Sequence, residues 1–242
     1  MTTVTFNSST LTASYTVMNV QRPFAVRTHE LLDVPGRNGA ILGNSKFDVA
    51  EISMDILLTQ SSRKLRADAM RALATILTTD EPKQLSFSDD DGKYYLAIAS
   101  GGQILPYIDA DVVEGVTFTC ADPIMFGANR EQAFAGGAAT ISTLGNMPCD
   151  VSFDFSTVTG GAGDIISITE TLTGKKLQIP IENGTTPAVK IDCRARTVLV
   201  GGNSAVPTLA SDWFEGWTNG SHAFTVDVGS VTGKIKVQDR WV

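Results

Sequence analysis

The feature that most constrains this chain is short apolar–polar alternation, repeated along most of its length and broken by Gly, Pro, Asn and Asp. Successive side chains of a strand point to opposite faces, so a period of two specifies antiparallel strands with one buried face and tight turns between them. Early strands are expected at 2–6, 15–21 and 24–31. The turn-rich segment Asp33-Val34-Pro35-Gly36-Arg37-Asn38-Gly39 follows. Pro35-Gly36 suits the centre of a type II turn, and Asn38-Gly39 suits a hairpin turn with positive φ. A long extended run is then expected over 47–59. Ala50, Ile52, Met54 and Ile56 share one face there, and Val49, Glu51 and Ser53 share the other.

The period changes once, over 61–77, which is the single helix expected. Ser61 or Ser62 caps its start, and Leu65, Ala69, Leu73 and Ile76 or Leu77 form one apolar stripe. Thr78-Thr79-Asp80-Glu81-Pro82 ends it, because the residue before Pro disfavours helix. Beyond it, strands at 84–87 and 94–99 flank the acidic turn Ser88-Asp89-Asp90-Asp91-Gly92. Three adjacent Asp residues suggest calcium, but a calcium loop spaces its ligands and closes on a Glu that this sequence lacks, so a solvated turn is favoured. A strand is expected at 109–120. The Gly/Ala-rich stretch 127–139 then marks a domain boundary near residue 130. Strands at 147–155, 165–170, 176–181, 189–193, 197–200, 222–228 and 233–241 follow, with turns at 160–163, 182–184 and 200–203. This pattern specifies a mainly β chain whose second half is a β-sandwich.

Hydrophobic residues make up 43% of the 242 and charged residues 19%, enough apolar material for packed cores and too little charge for disorder. A net charge of −7 argues against nucleic acid and anionic membrane as partners, since both demand clustered Lys and Arg. No secretory leader and no membrane-spanning segment are expected. Cys120, Cys149 and Cys193 are odd in number and widely spaced, which fits small buried hydrophobes better than disulfides or zinc ligands.

No constellation for catalysis stands out. His29 and His222 lack partners at metal spacing and sit in no triad signature. Gly160-Gly161-Ala162-Gly163 is followed by no helix, so it is no dinucleotide loop. Gly174-Lys175-Lys176 opens a strand rather than a phosphate-binding helix. No pair of carboxylates is singled out for glycoside chemistry. The expectation is a protein without catalytic residues, cofactor or metal.

Several segments, taken in order, resemble the distal tail proteins of siphophages, especially those infecting Gram-positive hosts. The first is Leu32-Asp33-Val34-Pro35-Gly36-Arg37-Asn38-Gly39 with Phe47-Asp48 after it. Strand, helix, Pro82-Lys83-Gln84-Leu85-Ser86-Phe87 and Asp91-Gly92-Lys93-Tyr94-Tyr95 come next. Gly115-Val116-Thr117-Phe118-Thr119-Cys120-Ala121-Asp122-Pro123, then Asp212-Trp213-Phe214, Asn219-Gly220 and the closing Arg240-Trp241 complete the likeness. It covers nearly the whole chain and is strongest over 30–125; residues 131–210 match only in texture, and 136–139 have no counterpart.

The resemblance implies a tail-tube-like β-sandwich with one helix over 1–130 and a galectin-like β-sandwich over 131–242. It implies a hexameric ring at the virion's tail tip, assembled in the host cytoplasm. That ring would join the tail-tube protein to a tail-associated tip protein and to receptor-binding or baseplate proteins. Its subunit interface is expected at Asp33, Pro35, Gly36, Arg37, Asn38 and Gly39, with Arg37 either gripping a neighbour's carboxylate or simply solvated. An acidic balance suits a lumen through which DNA passes. Trp213, Phe214 and Trp217 form either a sugar-stacking platform or, the favoured reading, a core anchor. A carbohydrate-binding module and a tail-tube subunit are the alternative functions.

Overall fold

The computed structural model describes residues 2–106, 110–161, 163–181 and 188–242. The expected turn at 182–184, Asp109 and Ala162 lie outside the described residues. The chain divides into two compact units, Met1–Phe126 with Val242, and Gly127–Trp241.

In the first unit the elements run β1 (Val4–Phe6), β2 (Ser9–Thr10), α1 (Leu11–Ser14), β3 (Thr16–Gln21), β4 (Arg27–Asp33), β5 (Ala40–Phe47) and β6 (Ala50–Leu58). Then come α2 (Arg63–Leu77), β7 (Lys83–Phe87), β8 (Tyr94–Ser100), β9 (Gln103–Pro106) and β10 (Asp111–Cys120). One antiparallel sheet carries β2, β1, β7, β8, β10, β6 and β3 in that order, with β9 beside β10. It bends back on itself, so that Phe6 of β1 meets Phe118 of β10 edge-on with ring centroids 4.9 Å apart. The alternation read along β6 is realised: Ala50, Ile52, Met54, Ile56 and Leu58 are buried and Val49 and Glu51 exposed. The single run expected at 47–59 is two strands, because the chain breaks at Asp48-Val49 between β5 and β6. Asp55 satisfies two irregularities at once: its carboxylate accepts from Asn19 Nδ2 (2.7 Å) beside the β3 bulge and from Gly115 N (2.8 Å) within the β10 bulge.

The helix forms where its period and caps place it. Ser62 has extended backbone angles and its hydroxyl accepts from Leu65 N at 3.3 Å. Of the expected stripe, Leu73 is buried and Ala69, Ile76 and Leu77 pack against the core, and only Leu65 departs from it. Leu65 is 50% exposed, whereas Arg66 is buried, its Nε donating to Asp111 Oδ2 at 3.2 Å and its Nη1 to Gln60 O at 3.2 Å. A long Arg stem covers apolar surface like an aliphatic residue once its head is paired, which a hydropathy pattern does not register. Tyr15 fastens the helix further, donating from its hydroxyl to Ala69 O at 3.1 Å. The expected helix thus has a companion, the one-turn α1, which continues directly from β2 and buries Leu11.

The second unit contains most of β11 (Met125–Ala133), then β12 (Ala138–Thr143), β13 (Met147–Thr159), β14 (Ile165–Glu170), β15 (Lys176–Pro180) and β16 (Val189–Asp192). β17 (Thr197–Val200), β18 (Asn203–Ser204), β19 (Gly220–Asp227) and β20 (Ser230–Trp241) complete it. One sheet runs β18-β17-β16-β13-β20-β11 and the other β12-β19-β14-β15. Their inner faces share a core: Val151, Phe153, Phe155, Ile191 and Ile235 from the first meet Ile141, Ile166, Ile168, Ile179 and Phe224 from the second. The last strand belongs to this sandwich, paired with β13 almost throughout. Strands β11 and β12 take up most of the Gly/Ala stretch 127–139, and the two units divide at its head, between Phe126 and Gly127. Gly127 is closely packed: a Cβ there would lie 2.8 Å from Trp241 Nε1 and 3.1 Å from Asp239 Cβ.

Candidate functional site

The most unusual element is the hairpin of β4 and β5. These strands pair with each other and, among the described residues, with no other strand. An isolated two-stranded ribbon is at best marginally stable in water, because neither face is covered. This one is also apolar on both faces. Leu31 opposes Leu42 on one face, and Leu32 opposes Ile41 on the other. Leu31 is 67% and Leu42 61% exposed; Leu32 and Ile41 are 48% and 41% exposed. A register shift after His29 places Glu30 and the small Gly43 at an irregularity in the ribbon.

The ribbon's tip is the expected turn segment. Arg37 N donates to Val34 O at 3.1 Å around Pro35-Gly36, and Gly36 has φ +82°, as the third position of a type II turn requires. Of Asn38-Gly39 only the glycine takes a positive φ, so the two-residue hairpin turn suggested by that pair does not form. The wider loop from Val34 to Gly39 closes the ribbon instead, with Asp33 paired to Ala40. All six residues expected at an interface, Asp33, Pro35, Gly36, Arg37, Asn38 and Gly39, are exposed and brought together here. Arg37 makes no ion pair among the described residues.

The ribbon's base is held by polar contacts. Arg27 lies over the Phe47 ring, 5.1 Å from its centroid. The Thr28 hydroxyl donates to Asp48, and Lys46 Nζ lies 3.2 Å from the same carboxylate. The Thr28 hydroxyl, with Lys46, holds the Asp48 carboxyl below the usual carboxylate range. Preceding the ribbon, Arg22 pairs with Asp89 at 2.5 Å and with Asp90, and its guanidinium sits 4.7 Å from the Phe87 ring centroid. The acidic turn, for which a solvated turn was favoured over a calcium loop, is thus paired with an Arg side chain. Sequence reading pointed to the 33–39 turn, but the exposed leucines next to it were missed: nothing local in Leu31-Leu32 and Ile41-Leu42 tells a covered strand from an exposed one.

The C-terminal aromatics lie elsewhere. Phe214 is 1% and Trp217 6% exposed, and Trp213 packs partly buried against the same core. Trp217 stacks on His222 with centroids 4.8 Å apart and lies 4.9 Å from Phe224. The rings of Phe214 and Trp217 are turned inward and offer no open face to a sugar. His222 Nδ1 lies 3.1 Å from Oε1 of the fully buried Glu170, whose Oε2 accepts from Thr173 Oγ1. This buried polar cluster, invisible in sequence because His222 and Glu170 are 52 residues apart, fastens β14 to β19 at one end of the sandwich. His29 stands exposed on β4 opposite Ser45. Cys120, Cys149 and Cys193 are free and buried, as small hydrophobes are, and burial pushes each thiol up to about 12.

Residues 1–120 match the family model for a phage tail protein RIFT-related domain, and residues 145–241 match that for the C-terminal domain of a siphovirus-type tail component. No curated protein matches. Among solved structures, the crystal structure of the SPP1 Dit (gp 19.1) protein, described as a paradigm of the hub adsorption apparatus in Gram-positive-infecting phages, superposes with a TM-score of 0.79. Identity there is 14%, and 100% of both chains is covered. A chain of the phage P2 baseplate in its activated conformation with Ca gives a TM-score of 0.53 at 7% identity, over 99% of this chain and 98% of that one. The same baseplate with Sr gives 0.51 at 7% identity, over 98% of each. At these identities the structural likenesses establish the fold.

Proposed function

Because this chain belongs to the siphophage distal tail proteins, a structural component of the phage tail tip, we propose that its copies close into a hexameric ring through the β4–β5 hairpin. The ring continues the tail-tube protein and carries a tail-associated tip protein below it. The second unit serves as the platform for receptor-binding or baseplate proteins. The first unit, residues 1–130 in the sequence reading, is the ring-forming part, and the sandwich beyond it is the galectin-like part. The chain performs no catalysis, and assembly takes place in the host cytoplasm before the virion is released.

The observation that carries this reading is a ribbon with exposed leucines on both faces and, among the described residues, no strand partner beyond its own two strands. Exposed apolar patches of this kind mark interaction surfaces, and covering the ribbon is what would stabilise it. A closed ring needs a head-to-tail contact between two different patches, and a projecting arm supplies one of them. The buried state of Phe214 and Trp217 removes the main support for a carbohydrate-binding module. The size of the second unit sets the chain apart from a simple tail-tube subunit.

The test is native mass by light scattering on a sizing column, with negative-stain images of the peak, for the parent chain and for the double variant Leu31→Asp/Leu42→Asp. The parent is expected as a six-copy ring with a central hole and the variant as a monomer with unchanged melting temperature. A parent that stays monomeric up to the highest soluble concentration, or a variant that still forms rings, would refute the hairpin-built ring.

A further inference from the structure

On the strength of the ring reading, we propose that the Leu31/Leu42 face of the hairpin seats in a specific apolar groove of the neighbouring copy, between the C-terminal half of α2 and strands β9 and β10. The groove lies within the first unit and has a volume of about 390 Å³. Met70, Ala74 and Leu77 of α2 form one wall, and Ile104 of β9 and Val113 of β10 contribute to the rest. An apolar space of roughly 150 Å³ already holds a benzene-sized group, so this one has room for two leucine side chains.

Two features select the hairpin as its occupant. Among the described residues no charged side chain lines the groove, so it accepts the leucine pair and rejects the ribbon's base, where Arg27, Lys46 and Asp48 sit. β9 pairs only with β10 among the described residues, which leaves one backbone edge beside Ile104 open to an added strand.

Topology points the same way. Each copy carries both a projecting apolar ribbon and an apolar groove, and these are different patches. Ribbon into groove is therefore a heterologous contact that propagates from copy to copy until it closes. Ribbon against ribbon would be isologous and would stop at a dimer.

The experiment uses two variants of the full chain. Leu31→Asp/Leu42→Asp disables the ribbon and leaves the groove. Ala74→Glu disables the groove and leaves the ribbon; Ala74 is an exposed helical position and both residues are good helix formers, so the fold is retained. Each variant alone is expected to run as a monomer. An equimolar mixture is expected to form a two-chain species and nothing larger, since the ribbon and the groove left over in that pair are both the disabled ones. If Ala74→Glu still assembles rings like the parent, the ribbon seats elsewhere and this inference falls while the ring reading stands. A mixture that remains monomeric overturns the ribbon-to-groove pairing in the same way. A parent chain that never forms rings overturns both.

Discussion

Truncating Trp217 separates a core anchor from a ligand platform. The side chain is 6% exposed and touches Phe214, His222 and Phe224 through its ring, with centroids 5.6, 4.8 and 4.9 Å away. A tryptophan of this kind removes roughly 150–250 Å² from water. At roughly 25 cal/mol per Å², that burial contributes about 4–6 kcal/mol. Alanine retains a little of it and leaves a cavity, so Trp217→Ala should cost about 3–5 kcal/mol. For a unit of this size 1 kcal/mol shifts the midpoint by about 3–5 °C, so the melting transition of the second unit should fall by about 10–20 °C. Calorimetry on the full chain reads this directly, with Trp217→Phe recovering part of the loss and near-ultraviolet circular dichroism reporting the packing. A melting midpoint within about 2 °C of the parent, together with loss of binding to a glycan array, would refute the core assignment and reinstate the sugar platform.

Three further outcomes are expected. Glu170→Ala, which leaves His222 and Thr173 without their buried acceptor, should destabilise the second unit by about 3–5 kcal/mol in urea titrations, whereas a surface carboxylate such as Glu81 changed to Ala should cost almost nothing. The three buried thiols should resist alkylation in the native chain near pH 8 and react fully in denaturant; since their folded values are raised to about 12 above an unfolded value of about 8.5, the stability they contribute is intact below that lower value and is lost as pH rises toward the upper one, by about 1.4 kcal/mol per unit per thiol, so midpoints should drop steeply in alkali. Ser62→Ala removes the side-chain acceptor for Leu65 N and should cost about 1 kcal/mol, with Ser62→Asp restoring the parent midpoint.

What could be read from the sequence was whatever is encoded locally. Alternation placed β6, β14 and the inner residues of β13, because a period of two maps directly onto faces of a sheet. The helix came from its period and its Ser62 cap, and the ribbon's tip from Pro35-Gly36, whose φ requirements are properties of those two residues alone. The order of the family's segments, each unremarkable singly, carried the resemblance.

Tertiary structure decided whatever depends on partners distant in sequence. The stretch 127–139 reads by composition only as a boundary, yet most of it is strand because β11 pairs beside β20, and Trp241 and Asp239 leave room for nothing larger than Gly127 there. Leu65 is exposed and Arg66 buried because Asp111, far along the chain, neutralises the guanidinium. The hairpin's apolar residues sit in adjacent pairs, Leu31-Leu32 and Ile41-Leu42, as in a strand covered on both faces; that they face solvent follows only from β4 and β5 pairing with no third strand among the described residues. Local sequence determines which way a side chain points from its own backbone, and only the folded chain determines what waits there.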